Sequence, residues 1–293
     1  MKNALLAPRK MMGICVERLR EKADPVRAAG AQRYFKDTII CFGLTAPQMR
    51  GLAAEAHGMI EGSWGVGEAV EFCGLMLANR YFEVKAIGIL VLEKFSKDYP
   101  KSLFGTIKGW LLADYCDNWA SVDTLCPRSV GALLEKYPDL ISSIKTWTKS
   151  PNRWVRRASL VSFLKLTRKP GFLDAIYEVS KSHFADADDL VQKANGWLLR
   201  EAGKADPARL EILEFLRTGE KCVCEIIPRV ELIQPVVSRH LRILKECGLV
   251  KDRKDGTKRL YSIAEPEMFE IIDAAKPELL ELLSKRIIDQ ITC

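Results

Sequence analysis

Three patterns in the sequence predict an all-α solenoid of HEAT type followed by a small winged helix-turn-helix region. Apolar residues recur at three- and four-residue spacing from about residue 10 to 205, in pieces of about 10–18 residues. The pattern changes near residue 206, and Asp255-Gly256 marks a hairpin between two short runs. We therefore divide the chain into a helical region, 1–205, and a winged region, 206–293.

The helical region is predicted to contain helices only, because no run alternates as a strand does. Helices that pair at a period of about 40 residues are typical of a HEAT-type solenoid, in which each pair buries its apolar face on its neighbours. Prolines lie at or near the breaks between helices: Pro25, Pro47, Pro100, Pro138, Pro151 and Pro170.

The winged region is predicted to form three helices, a hairpin and a C-terminal helical stretch. In order, these are Asp206–Arg217, Cys222–Val230, Gln234 to about Cys247 with Gly248 as its stop, the arms Leu249–Lys254 and Thr257–Ile263, and the amphipathic Pro266–Ile291. The last stretch is predicted to pack as one or two helices across a partner in a homodimer.

Composition indicates a soluble, cytoplasmic protein. The 293 residues include 45 Lys plus Arg against 38 Asp plus Glu, a net charge of +7. No uncharged run approaches the ~18 residues of a membrane-spanning helix, and the first residues lack the apolar core of a secretory signal. Nine thinly spread cysteines favour reduced thiols over a disulfide framework.

The excess positive charge lies in the helical region. The winged region holds 15 basic and 16 acidic residues, which leaves 30 basic and 22 acidic residues before it. Between Asp139 and Asp174 there is no acid, while eight bases occur between Lys145 and Lys169. Such a run is typical of a surface that follows a phosphate backbone, although a solvated basic helix face is the alternative.

Aromatic, acidic and basic side chains are spaced so that they share helix faces. Trp119 and Asp123 are four residues apart, so they share one helix face if Asp117 or Asn118 caps a helix there. The other two sets are Lys193, Trp197 and Arg200, and Arg153, Arg156 and Arg157. A carboxylate on a basic surface repels phosphate, so its target should be cationic. The pattern suits a cationic group attached to a polyanion.

The strings NWASVD, RWVRRASL and VQKANGWLLREAGK, with an earlier Arg33-Tyr34-Phe35-Lys36, resemble the AlkD-like DNA alkylation repair glycosylases. These HEAT-repeat enzymes remove cationic N3- and N7-alkylpurines from duplex DNA without turning the base into a deep pocket. The resemblance implies that Asp123 and Trp119 are catalytic, with Trp197 as the second Trp. It also implies that Arg157 contacts DNA and that Tyr34 lines the cleft. Ala120 departs from the family, whose best-known form has a second acid there.

The chemistry that the resemblance implies is consistent with these residue types. An alkylated purine is already a good leaving group, so Asp123 would stabilise the developing oxocarbenium ion and orient water. Indoles suit cations, at ~0.5–2 kcal/mol each. Arg153, Arg156, Arg157 and Lys193 would hold backbone phosphates. No cofactor and no lysine nucleophile are expected, which predicts a monofunctional enzyme.

The winged region resembles the ArsR-type regulators through ARLEILEFLRTGEKCVCEI, QPVVSRHLRILKECGLV and KDRKDGTKRLYSI. Its recognition helix would place four residues near the major groove: Gln234, Ser238, Arg239 and His240. Lys258 belongs to a basic wing. Cys222 and Cys224 lie where arsenic-sensing relatives carry a thiolate pair, with Cys247 or Cys293 as a third metalloid ligand; unliganded core cysteines are the alternative.

Three functions therefore compete. The first is an alkylpurine DNA glycosylase with an appended winged helix, whose partner is double-stranded DNA with alkylated bases. The second is an ArsR-type transcriptional regulator, or a non-catalytic protein that binds damaged DNA. The third is a HEAT scaffold that binds proteins. The joint presence of Trp119, Asp123, Arg157 and Trp197 favours the first.

Overall fold

A computed structural model describes residues 6–169, 171–205, 207–246 and 248–264, together with Pro266 and Phe269. The described residues form two compact units, which divide between Ala158 and Ser159. They contain fourteen α-helices and three short strands. None of the described helices is both long and apolar enough to span a membrane.

The first unit is built from helices. These are α1 (Pro8–Glu21), α2 (Pro25–Ala31), α3 (Ala46–Ile60), α4 (Val66–Leu77), α5 (Phe82–Glu93), α6 (Leu103–Leu112), α7 (Trp119–Lys136), α8 (Leu140–Lys145) and the first part of α9 (Arg153–Val161). Proline begins α1 and α2, where its missing N–H costs no hydrogen bond. Helix α5 is the centre of the core: residues 82–92 are all buried, and α3, α4 and α7 pack around it.

One loop of the first unit is anchored to α5 by a buried carboxylate. Glu83 accepts hydrogen bonds from the backbone N–H groups of Phe42 and Gly43, both at 2.8 Å, and of Leu44 at 3.2 Å. Gly43 has φ +84°, and a Cβ there would lie 2.2 Å from the Asp24 carbonyl oxygen. The 39–45 loop is therefore fixed against both α2 and α5.

The second unit combines the last helices of the helical region with the winged region. After the end of α9 its elements are α10 (Leu173–Lys181), α11 (Asp189–Ala205), α12 (Pro207–Arg217), β1 (Lys221–Cys222), α13 (Val223–Val230), α14 (Gln234–Glu246), β2 (Val250–Asp255) and β3 (Lys258–Ile263). The strands form one antiparallel sheet in the order β1-β3-β2. Asp255 pairs with Lys258, and Gly256 takes φ +59° in the turn between them.

The predicted fold class is confirmed: helices fill the helical region, and three helices with a hairpin follow. Strand β1 was not predicted, because two residues are too few to show an alternating pattern. Of the predicted helical stretch 266–291, the structure describes only Pro266 and Phe269. Asp206 and Cys247 also lie outside the described residues. The boundary at 205/206 stays a prediction.

Candidate functional site

Helix α7 begins where the sequence predicts, and it carries Trp119 and Asp123 one turn apart. The Asn118 side chain accepts a hydrogen bond from the Ser121 N–H at 2.9 Å and so caps the helix. Both Trp119 and Asp123 are buried, with 9% and 2% of their surface exposed. The indole and the carboxylate are therefore placed by one well-capped helical turn.

Asp123 forms a two-pronged ion pair with Arg157 of α9. Arg157 donates from Nε to Oδ1 at 2.8 Å and from Nη2 to Oδ2 at 2.6 Å. Only 5% of Arg157 is exposed. Burial raises the pKa of Asp123 above its usual range, and the nearby guanidinium opposes that rise by favouring the charged form. The site thus holds an ionisable carboxylate in a low-dielectric position.

The Trp119 ring packs against the segment that follows α2. Phe35 stacks on it with ring centroids 5.1 Å apart and an interplanar angle of 18°. The Trp119 Nε1–H points to the Tyr34 carbonyl oxygen at 3.4 Å. Sequence reasoning singled out Tyr34 and missed Phe35, although both belong to the same quoted string. Phe35 fixes the plane of the indole.

The half-buried Tyr34 side chain is held by its neighbour. Arg33 donates to the Tyr34 hydroxyl at 2.8 Å and lies 4.8 Å from the ring centroid. Tyr34 and Phe35 also line a cavity of about 510 Å³ whose other walls come from α2, α3, the 39–45 loop and α5. Neither Trp119 nor Asp123 lines this cavity.

Lys85 anchors the turn that precedes α7. Its Nζ donates to the Tyr115 carbonyl oxygen and to Asp117 Oδ1, both at 2.8 Å, and Asn118 also donates to Asp117 Oδ1 at 2.9 Å. Lys85 is buried within α5. Sequence reasoning missed it, although a lysine inside the apolar run Phe82–Leu92 is a signal, since a buried ammonium requires partners.

The basic run, which consists of the eight bases from Lys145 to Lys169, is mostly exposed. All of its members are exposed except Arg156, which is half-buried, and Arg157. Arg156 donates to the Ser150 and Pro151 carbonyl oxygens at 3.0 and 3.1 Å, and Arg153 lies over the Trp154 ring at 5.7 Å. Of the three arginines that the spacing places on one helix face, Arg153 is exposed, Arg156 is half-buried and Arg157 is buried, and their contacts with DNA stay predictions.

The two tryptophans of the basic run are also buried. Trp147 and Trp154 are 1% and 7% exposed, and Trp147 packs on Phe104. They serve the core and are not available as stacking surfaces in this structure.

Lys193 and Trp197 lie on α11, in the second unit. Lys193 is exposed and pairs with Asp189 at 3.2 Å, four residues earlier. Trp197 and Arg200 are half-buried on the same helix. Their predicted roles stay predictions.

Helix α14 has the amphipathic form of a recognition helix. Val237, Leu241 and Leu244 are buried, while Gln234, Ser238 and Arg239 are exposed. Lys258 is exposed at the hairpin turn. The predicted DNA-contacting surface is thus presented to solvent at these four positions.

His240 is engaged within the unit. Its Nδ1 accepts a hydrogen bond from the Nε of the buried Arg209 at 3.4 Å, and the Arg209 guanidinium lies 5.5 Å from the Tyr177 ring centroid. Tyr177 belongs to α10 and Arg209 to α12, so His240 connects α14 to α12, and Arg209 also contacts α10. A base contact by His240 stays a prediction.

Cys222 and Cys224 form a disulfide. This pairing differs from the expectation of reduced thiols, and a separation of two residues at the start of α13 brings the two sulfurs together. The third sulfur ligands suggested for a metalloid, Cys247 and Cys293, lie outside the described residues. Within the part of the chain that is described, no group of three or more His, Cys, Asp or Glu side chains is suited to hold a metal ion.

The chain thus combines a helical region, in which a buried carboxylate lies one helical turn from an indole, with a winged helix-turn-helix. Residues 15–221 match the family of DNA alkylation repair enzymes, and the chain belongs to that family. Residues 206–252 match the bacterial regulatory proteins of the arsR family. The two matches overlap across α12.

Individual proteins resemble one part or the other. An uncharacterized HTH-type transcriptional regulator of Methanocaldococcus jannaschii is 48% identical over 68 residues, which is 23% of this chain and 76% of that protein. An arsenical resistance operon repressor of Staphylococcus xylosus is 41% identical over 59 residues, 20% of this chain and 57% of that one. The match therefore spans little more than half of the latter's length.

A solved structure described as a predicted DNA alkylation repair enzyme from Enterococcus faecalis shares the fold. It has a TM-score of 0.57 at 20% sequence identity and covers 74% of this chain and 94% of its own. The likeness therefore extends well beyond the first unit.

Proposed function

We propose that this chain is a monofunctional DNA glycosylase that hydrolyses the N-glycosidic bond of cationic N3- and N7-alkylated purines in duplex DNA. The observation that carries the proposal is the buried Asp123 carboxylate, one helical turn from Trp119 and held by Arg157. Membership in the DNA alkylation repair family supports it.

Asp123 acts on the charge that develops at the sugar. An alkylated purine leaves without a proton donor, and the barrier lies in the oxocarbenium character of the sugar. A carboxylate in a low-dielectric position stabilises such a positive charge more strongly than one in water does. Before DNA binds, Arg157 keeps the Asp123 carboxylate ionised and oriented. In the complex, the carboxylate accepts a hydrogen bond from the attacking water.

DNA binding has to open the site, because Asp123 and Trp119 are almost inaccessible to solvent. A backbone phosphate beside the lesion competes with Asp123 for the Arg157 guanidinium, since arginine binds phosphate and carboxylate with the same two-pronged geometry. Trp119, held flat by Phe35, then offers its ring to the cationic nucleotide. The phosphate thus couples binding to exposure of the carboxylate.

The test is release of 7-methylguanine and 3-methyladenine from methylated duplex DNA. Asp123→Asn should lower the single-turnover rate by at least about a hundredfold, as removal of an electrostatic stabiliser does in other enzymes. Asp139→Asn is the matched control, because Asp139 is an exposed acid paired with Lys101. Undiminished release by Asp123→Asn would rule out the mechanism.

The second candidate function is an ArsR-type regulator, or a protein that binds damaged DNA without cutting it. The exposed Gln234, Ser238 and Arg239 of α14 favour a DNA-reading role. Tight binding of one duplex sequence by wild type, with no base release from methylated DNA, would favour this candidate over the glycosylase.

For the winged region we also propose a metalloid site that uses Cys222 and Cys224 in their reduced state. Soft thiolates bind arsenic well, and two on one turn can chelate it. Arsenite should weaken DNA binding by the reduced protein, and Cys222→Ser should abolish that response. Indifference of the reduced wild type to arsenite would dispose of the site.

A further inference from the structure

Cys222 and Cys224 differ in exposure although they are two residues apart. Cys222 is buried as the N-cap of α13, where its sulfur accepts a hydrogen bond from the Cys224 N–H at 3.2 Å. Its own N–H donates to the Glu225 carboxylate at 2.7 Å. Cys224 is exposed, and the disulfide joins the two sulfurs. In the reduced pair, the Cys224 thiol is therefore reachable from solvent, and the Cys222 thiol is buried next to it.

The cysteine pair is directly connected to the wing. Lys221 and Cys222 form β1, which pairs with β3 through Lys221 opposite Tyr261 and Cys222 opposite Leu260. Arg259 and Lys258 come next along β3, at the exposed turn of the hairpin. Restraint at the start of α13 therefore acts on the strand that carries the basic wing.

We propose that Cys222 and Cys224 form a reversible dithiol–disulfide couple that sets the DNA affinity of the winged region, and that a low-molecular-weight disulfide is its oxidant. The exposed Cys224 thiolate attacks one sulfur of the oxidant, which forms a mixed disulfide and releases one small thiol. Cys222 then attacks the Cys224 sulfur and releases the second small thiol. Two electrons pass from the cysteine sulfurs to the oxidant sulfurs, and the two cysteine protons end on the released thiols.

The disulfide form should bind DNA more tightly. The bond ties the first turn of α13 to β1, and the sheet passes that restraint to β3. Because the oxidised wing is already restrained, DNA binding loses less conformational entropy, and the affinity for DNA rises. We expect undamaged duplex DNA to bind about fivefold more tightly to the oxidised chain than to the reduced chain, a change of about 1 kcal/mol.

The chain offers a clean chemical readout. Trypsin cleaves after Lys221 and Arg229, so one peptide, Cys222–Arg229, contains both cysteines and no other. The full chain is incubated with oxidised glutathione or with dithiothreitol, blocked with a thiol-alkylating reagent and analysed by mass spectrometry. Anisotropy of a labelled undamaged duplex is measured on the same samples.

Two variants separate the steps, and Cys41→Ser is the control because Cys41 is a half-buried cysteine of the first unit. Wild type should give an unlabelled peptide that is two hydrogens lighter, and dithiothreitol should reverse the change. Cys222→Ser should stop at the glutathione adduct, whereas Cys224→Ser should stay unmodified and lose the affinity response. Cys41→Ser should behave as wild type.

Three outcomes would overturn the proposal: a wild-type peptide that stays fully labelled after oxidation, equal DNA affinity in both states, or an affinity response that survives Cys224→Ser. The test uses undamaged DNA and no base release. Its failure is therefore distinguishable from failure of the proposed glycosylase.

Discussion

At the scale of single residues, the pair Asp123–Arg157 concentrates the chemistry of the first unit. A buried carboxylate is costly unless it is paired, and the two-pronged contact supplies the pairing. The same carboxylate is the group that a positively charged sugar requires. One pair therefore serves both the stability of the core and the proposed reaction.

The pH dependence of base release should report Asp123. The reaction needs the ionised carboxylate, and burial raises its pKa, so the rate should fall as the pH drops through a value above the usual ~3.9 of Asp. Arg157→Met should move this acid limb to higher pH, because the lost guanidinium favours the charged form. Rates corrected for uncatalysed depurination test this, and an unchanged limb in Arg157→Met would contradict it.

Replacing only Arg157 should destabilise the protein more than replacing both Arg157 and Asp123 with apolar residues. Arg157→Met leaves the Asp123 carboxylate buried without its guanidinium, and the free energy of unfolding should fall by about 3–5 kcal/mol. The double variant Asp123→Leu with Arg157→Met should lose less than Arg157→Met alone. Urea unfolding measures both, and strictly additive losses would show that the two side chains do not interact.

The sequence predicted this site unevenly, for reasons that individual residues make clear. The spacing of Trp119 and Asp123, with a cap before them, is a local property, so it was readable from one helix. The pairing of Asp123 with Arg157 is a tertiary contact across 34 residues, and no local pattern encodes it. The partners of Phe35 and Lys85 also lie far along the chain, so only the charge of Lys85 within an apolar run is a local signal.

At the scale of elements, the start of α7 determines where the site residues stand. Asn118 caps the helix, and Lys85 holds Asp117 and the Tyr115 carbonyl just before it. Helix α7 therefore begins at one fixed residue, and Trp119 occupies its first turn.

Removing the cap should loosen that turn. Asn118→Ala should lower the free energy of unfolding by about 1 kcal/mol. Asn118→Asp should lower it much less, because Asp also accepts the hydrogen bond from the Ser121 N–H. Thermal unfolding of the two variants provides the comparison. Equal losses in both would mean that the cap is not the cause.

The 39–45 loop should tolerate no side chain at Gly43. Gly43→Ala places a Cβ against the Asp24 carbonyl oxygen at φ +84°. We expect the free energy of unfolding to fall by about 1–3 kcal/mol. Gly51→Ala is the control: Gly51 is exposed in α3 with open space around it, so alanine should stabilise by up to about 1 kcal/mol. Denaturant midpoints of the two variants should move in opposite directions.

At the scale of the whole molecule, the winged region is not a separate appendage on a linker. The second compact unit runs from Ser159 through α10 and α11 into the winged helix. Helix α12 belongs to both family matches, and Gly203 of α11 packs closely on Leu210 of α12.

A chain that ends at Ala205 should therefore have an incomplete second unit. Helices α10 and α11 lose their packing against α12, so their amides should exchange hydrogen faster than in the full chain, while those of α3 and α5 should not change. Hydrogen exchange with mass spectrometry measures both sets. Equal protection of α11 in the two chains would support an independent boundary at 205/206.

In the proposed function, Asp123 makes this family member a base-releasing enzyme. The most direct test is single-turnover release of 7-methylguanine from methylated duplex DNA by the full chain, with Asp139→Asn as the matched control. We expect release by wild type and by Asp139→Asn, and a loss of at least about a hundredfold in Asp123→Asn. Equal release by Asp123→Asn and wild type, or no release by wild type, would contradict it.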